Sequence, residues 1–181
     1  MSKRRVVITG LGPVTPVGIG KDEFWSSLVA GKSGIATITQ FDVSNFPVKI
    51  AGEVKGFDYT AFIAKKEGKR MDRVTQLGVA AAKLAFEDAG LDMTKEDALR
   101  CGVCVSSGIG GINTFVEQAD KYLTKGPSKV SPFFIPMNIA NMSAGQIAIA
   151  LGLKGPNTCI VTACASGTNS IGDALRTIQY G

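Results

Sequence analysis

Short apolar runs alternate with helix-period stripes along this chain, and that alternation leaves few folds open. Arg5-Val6-Val7-Ile8-Thr9 is nearly continuous and ends at Gly10. Val48 to Val54, Gly102 to Ser106 and Asn157 to Ala163 are the other strand-like runs. Runs apolar on both faces read as central strands of a covered sheet. Between them lie helical stripes. Asp22 is placed to cap a helix carrying Phe24, Trp25, Leu28 and Val29, stopped by Gly31. Asp72 is placed to cap a longer one through Leu77, Ala80, Ala81, Leu84 and Ala85, stopped by Gly90. Ile112, Phe115 and Ala119 mark a third. Ile139, Met142, Gln146 and Ile149 mark a fourth, ended by Gly152. Ile171, Ala174, Leu175 and Ile178 mark a fifth. The expected class is α/β with a largely parallel sheet. The last stripe stops at Gly181, where a return strand would follow, so the chain reads as cut at an element boundary.

Composition narrows the partners. With 45% hydrophobic and 19% charged residues, the 181-residue chain has material for one domain with a core. The net charge of +5 suits an acidic partner, but no nucleic-acid motif accompanies it. The opening MSKRRVVITG lacks the long apolar segment of a signal peptide, and no stretch approaches a bilayer span. A soluble cytoplasmic or organelle-matrix protein is expected, the cytoplasm first. Four cysteines without a secretory signal do not make a disulfide framework.

Several motifs fail on inspection. Gly10-Leu11-Gly12 follows a strand-like run, but position 15 is threonine, and Pro13 and Pro16 oppose the helix a dinucleotide site needs. Gly108-Ile109-Gly110-Gly111 is a weaker match still, because position 113 is Asn. Cys101 and Cys104 form C-x-x-C on a predicted strand, where an odd separation sends the side chains to opposite faces. Two structural cysteines are the better reading. There is no histidine and no second cysteine pair, so no zinc set exists. No cofactor or metal is expected.

Thr162-Ala163-Cys164-Ala165-Ser166-Gly167 combines strand, sharp turn, cysteine and helix. A cysteine at a helix N-terminus meets the positive end of the dipole and free N–H groups, which favour thiolate and can hold an oxyanion. The same residues also suit a small thiol closing a strand. The local pattern alone leaves both readings open.

The wider sequence carries a resemblance. TACASG with the following TNSIG is similar to the active-site segment of the β-ketoacyl-acyl carrier protein synthases. MSKRRVVITGLGPVTPVG resembles the family's amino-terminal strand and loop. KKEGKRMDRVTQLGVAAAKLAFEDAGL, SSGIGG and KVSPFFIPMNIANMSAGQIAIALGLKGP resemble further blocks in order. The likeness runs from Met1 to Gly181 and lies nearest the synthase II branch, which elongates fatty acids.

The resemblance implies a thiolase-like fold of layered α/β/α form, two similar halves and a homodimer. It implies that Cys164 accepts an acyl group and then condenses it with malonyl-carrier protein by decarboxylation. Ile109 matches the side chain that gates the acyl pocket, and Phe134 one that reaches the partner subunit's pocket. The strand through Cys159 and Val161 would lie at the dimer interface. Lys66, Lys69 and Arg70 match positions where acidic acyl carrier protein docks. They belong to a basic stretch with Lys65 and Arg73, interrupted by Glu67 and Asp72, which could otherwise be a solvated face. The family's two histidines and lysine lie in its carboxy-terminal portion. Residues 1–181 therefore read as the amino-terminal part of one condensing-enzyme domain, inactive alone, with the carboxy-terminal half absent. The alternative is a truncated, non-catalytic dimerisation or carrier-binding unit.

Overall fold

The computed structural model describes residues 4–181. After a stretch without helix or ladder, the chain forms a small antiparallel ladder of β1 (Val14–Thr15) with β2 (Gly18–Ile19). Helix α1 (Lys21–Val29) follows. A second antiparallel ladder joins β3 (Ile35–Thr37) to β4 (Ile50–Gly52). Then come the short α2 (Lys65–Gly68), the long α3 (Arg73–Asp88), β5 (Val103–Cys104) and α4 (Ile112–Lys125). The chain ends with α5 (Phe134–Asn138), α6 (Met142–Leu151), β6 (Asn157–Thr158) and α7 (Ser166–Tyr180).

Helices α3 and α6 make the central contact. Val79 and Ala80 of α3 and Ala144 and Ile147 of α6 are buried, and Met71, Ile63 and Val103 close over them. Small side chains let the two axes approach. Thr75 and Ser143 meet hydroxyl to hydroxyl at 3.4 Å inside this contact, so neither buried oxygen lacks a partner. The amino-terminal turn lies against the outer side of α3. A Cβ on Gly10 would sit 2.1 Å from the Ala85 carbonyl oxygen, and one on Gly12 would sit 2.0 Å from that of Ala81. These glycines serve close packing of backbone on helix.

All five long helices lie where their stripes place them, because caps and periodicity act locally. Asp72 caps α3 by accepting from Val74 N at 3.1 Å. Gly152, at φ 70°, ends α6 in the left-handed conformation. Details differ. The residue at the α1 cap is Gly20, not Asp22, which lies inside the first turn. Glu23 instead reaches back to accept from Ile19 N at 2.9 Å. Ile139 falls between α5 and α6 and belongs to neither. The apolar stripe of α7 is largely uncovered, with Ile171 and Ile178 exposed.

The expected parallel sheet is the main correction. Among the described residues only β5 and β6 pair in parallel, through Val103 with Asn157 and Cys104 with Thr158. Residues 5–9 carry no ladder, and Val7 and Ile8 are exposed. Only Ile50–Gly52 of the 48–54 run pairs, and it does so with a segment, Ile35–Thr37, whose strand character the pattern did not announce. An apolar run becomes a strand only when a neighbour supplies N–H and C=O partners at about 4.8 Å. The α/β class holds here as short ladders among helices.

Candidate active site

Cys164 sits on a single 3-10 turn, Ala163–Ala165, that runs straight into α7. Its side chain is exposed, whereas Cys101, Cys104 and Cys159 are half-buried. The backbone reaches it through a rare conformation. Ala163 has φ 50°, and it is the one non-glycine residue with positive φ among the described residues. A left-handed alanine costs on the order of 1 kcal/mol and persists only where its surroundings impose it.

Hydroxyl groups impose it here. The Ser166 Oγ accepts from Thr162 N at 2.8 Å and donates to the Ala163 carbonyl at 2.7 Å, closing the turn from both sides. Asn169 Nδ2 donates to Thr162 Oγ1 at 2.8 Å. One turn further along α7, the Ser170 hydroxyl pairs with that of Ser106 beyond β5, and Ser106 Oγ also accepts from Ile160 N at 3.3 Å. Ser166 and Ser170 are both buried. The segment before the cysteine, the helix after it and the end of β5 are thus tied together by side-chain oxygens. The serines of ASGTNS were readable only as part of a motif; polar residues on a helix face carry no burial signal of their own. Gly167 has open space where a Cβ would be, so no segment among the described residues approaches the helix there.

The loop carrying Ile109 passes beside this turn. A Cβ on Gly108 would lie 3.8 Å from Ala163 Cα. Ile109 itself is 73% exposed. Phe134 is the first residue of α5, half-buried, with its ring 6.4 Å from that of Phe115 on α4. Lys66, Lys69 and Arg70 are exposed around α2, and with Lys65 they line a surface hollow of about 430 Å³. None of them has a carboxylate partner within 4.0 Å among the described residues. The Arg70 guanidinium lies over the Phe133 ring at 4.5 Å, next to Phe134. It also borders a cleft of about 540 Å³ with Ile63, Met71, Phe133 and Ile149. Among the described residues no cluster of three histidine, cysteine or acidic groups is placed to hold a metal.

The helix-rich α/β frame that carries Cys164 at the head of α7 is the fold of solved ketosynthases. The ishigamide ketosynthase/chain length factor superposes with a TM-score of 0.88 at 31% identity, over 99% of this chain and 45% of that one. A type II PKS acyl-carrier protein in complex with its ketosynthase bound to the hexaketide gives 0.82 at 28% identity, over 99% and 43%. The chain belongs to the β-ketoacyl synthase family, whose profile, described as Beta-ketoacyl synthase, N-terminal domain, matches residues 3–181. A 3-oxoacyl-[acyl-carrier-protein] synthase 2 of Synechocystis sp. is 49% identical over 181 residues, all of this chain and 44% of that protein. The chain thus spans less than half the length of the curated relatives it matches. No helix among the described residues is long and apolar enough to cross a membrane.

Proposed function

We propose that this chain is the amino-terminal part of a 3-oxoacyl-acyl carrier protein synthase of fatty-acid elongation. The carrying observation is the exposed Cys164 on its braced left-handed turn, in a chain 49% identical to a synthase of that name. The Cys164 sulfur attacks the thioester carbonyl of an acyl carrier protein, and the carrier's thiol leaves. Malonyl-carrier protein then loses CO2, and the carbanion attacks the Cys164 thioester. A 3-oxoacyl-carrier protein forms and the cysteine is released. No cofactor enters these steps.

Ile109 borders the acyl pocket, Phe134 reaches across a homodimer, and Lys66, Lys69 and Arg70 receive the acidic carrier. Support for a carrier comes from three cations in one exposed stretch that have no ion-pair partner among the described residues, and from the related ketosynthase solved with its acyl-carrier protein. The enolate formed on decarboxylation needs hydrogen-bond donors. The family resemblance implies two histidines in a carboxy-terminal portion as those donors, and this chain, which has no histidine, spans 44% of its relative. The reaction's compartment is the cytoplasm.

Surface area supports the need for more protein. The chain exposes 11835 Å². A compact monomer of 18.9 kDa exposes about 8,300 Å² by the usual scaling. Uncovered apolar residues include Ile149, Ile171 and Val7. The same facts favour a second reading for residues 1–181 taken alone, as a non-catalytic dimerisation or carrier-binding unit. The deciding experiment incubates the complete protein with acyl carrier protein and measures intact mass. Acylation should be lost in Cys164→Ala, and adding malonyl-carrier protein should yield 3-oxoacyl product. Acylation elsewhere, or none, would reject the synthase reading.

A further inference from the structure

One carboxylate joins the basic stretch to the loop beside the cysteine turn. Asp72 is 4% exposed. Its Oδ1 accepts from Val74 N, capping α3 directly after Lys69 and Arg70. Its Oδ2 accepts from Thr114 N at 2.8 Å and from Thr114 Oγ1 at 2.7 Å, in the first turn of α4 directly after Ile109. Asp72 and Thr114 lie 42 residues apart in sequence, and through them the starts of α3 and α4 share one buried cap. The helix starting at Ile112 has Gly111 at its own cap position and no side-chain cap of its own.

The glycines after Ile109 are wedged into the same joint. A Cβ on Gly111 would lie 3.0 Å from Asp72 Cβ and 2.2 Å from the Met137 carbonyl oxygen. Gly110, at φ 90°, leaves only 2.3 Å from such a Cβ to the Asn138 carbonyl oxygen. Gly111 N donates to that Asn138 carbonyl at 2.8 Å. Asn138 ends the helix that Phe134 begins. The Ile109 loop is thus gripped between Asp72 on one side and the end of α5 on the other. Arg70 over Phe133 makes a second link between the same elements.

We infer that Asp72 is a positioning residue that sets acyl chain-length selectivity, by fixing the Ile109 loop and α5 to the carrier-docking stretch. The inference rests on the synthase reading above. Without the Thr114 bonds to Asp72 the first turn of α4 is held only from the α5 side, through Gly111 N and the Asn138 carbonyl, and Ile109 shifts relative to Cys164. A displaced pocket wall discriminates against chains long enough to pass it, while short chains end before it.

The test measures acylation of Cys164 in the complete protein, with carrier-borne acyl groups of six and fourteen carbons. Thr114→Val removes one bond to Asp72 and keeps the side chain's shape; Asp72→Asn removes the anionic acceptor. Each should lower the long-to-short rate ratio by about tenfold, on the scale that small misplacements cost. Thr114→Ser, which keeps both donors, should restore the wild-type ratio. A cap that serves stability alone would lower the melting temperature and leave the ratio untouched, and that result overturns the inference. So does a shift that Thr114→Ser fails to reverse. Thr114→Val decides the matter even where Asp72→Asn does not fold. If the wild-type protein takes no acyl group from carrier at Cys164, the synthase reading itself fails.

Discussion

Ser166 donates its hydroxyl to the carbonyl of Ala163 at 2.7 Å, and Ala163 is the residue whose left-handed backbone presents Cys164. The same oxygen accepts from Thr162 N, so one buried side chain holds both ends of the turn. Ser166→Ala removes both bonds and leaves Thr162 N to find another partner, while the Ala163 carbonyl keeps the Ser166 N–H. The expected loss is about 0.5–1.5 kcal/mol of stability, the net worth of an ordinary hydrogen bond, because Thr162 and Ala163 are exposed and water can serve their backbone. Acylation of Cys164 should fall further than stability accounts for, since the turn relaxes. Thermal unfolding and acylation rates of the complete protein, measured together, separate the two effects; a stable variant with wild-type acylation would show that the turn holds itself.

Exposure distinguishes the four thiols. Cys164 stands open at the head of α7, whereas Cys159 donates weakly to the Ala140 carbonyl at 3.4 Å and Cys104 lies on a paired strand. Brief alkylation followed by peptide mapping should modify Cys164 first. Modification of Cys101, Cys104 or Cys159 ahead of it would contradict the assignment.

Lys66 and Lys69 are exposed, and neither has a carboxylate within 4.0 Å among the described residues, although Glu67 lies between them in sequence. Replacing both by Glu should weaken carrier-protein binding strongly at low salt and much less at high salt, because solvent-exposed charges are screened within about 10 Å at 0.1 M. Acylation by a small free thioester should survive. Arg70→Glu carries an added cost of about 0.5–1 kcal/mol for the lost contact with Phe133. Equal losses with carrier-borne and free thioesters would make the stretch structural.

Asp88 pins the amino-terminal segment to α3. It pairs with Lys21 and accepts from Leu11 N at 2.9 Å. The hydrogen bond from Lys21, then that from Leu11, hold its carboxyl below the usual carboxylate range, and Asp88 in turn raises Lys21 above the usual lysine value. A lowered carboxylate stabilises above its unfolded value, about 3.9, and the contribution disappears as pH falls through the folded one. The Lys21 contribution is complete below about 10.4 and disappears as pH rises through its raised value. Hydrogen exchange at Leu11 should therefore stay slow through neutral pH, with protection lost below about pH 4 beyond the intrinsic trend. Asp88→Asn should remove that acid dependence. An unchanged acid profile in the variant would separate the segment's order from this pair.

Helices were legible in the sequence and ladders were not, for one physical reason. A helix satisfies its backbone within itself, so the cap at Asp72 and the stop at Gly152 can be read from neighbours in the chain. A strand is satisfied by a segment remote in sequence, and the run at residues 5–9 carries no sign that a partner is lacking. The cysteine turn was legible as strand, turn and helix around TACASG. Its bracing was not, because Ser106 and Ser170 meet across 64 residues. Asp72 was legible as the cap of α3; its second bond, to Thr114, depends on how two helices pack.

Residues 1–181 expressed alone should not condense acyl and malonyl units. Cys164 is present, but the chain has no histidine to stabilise an enolate. Its surface presents Val7, Ile149 and Ile171 to water, and residues 5–9 form no ladder with the other described residues. Such features recruit other chains. The isolated stretch should self-associate, with slow acylation of Cys164 by a reactive thioester as its only chemistry. Co-expression with the remaining portion of the synthase should restore both solubility and condensation. Sedimentation together with an assay for 3-oxoacyl product, beside a Cys164→Ala control, tests the whole account. A monodisperse monomer that condenses in a Cys164-dependent way would place the enolate-stabilising groups within this chain, among residues other than histidine.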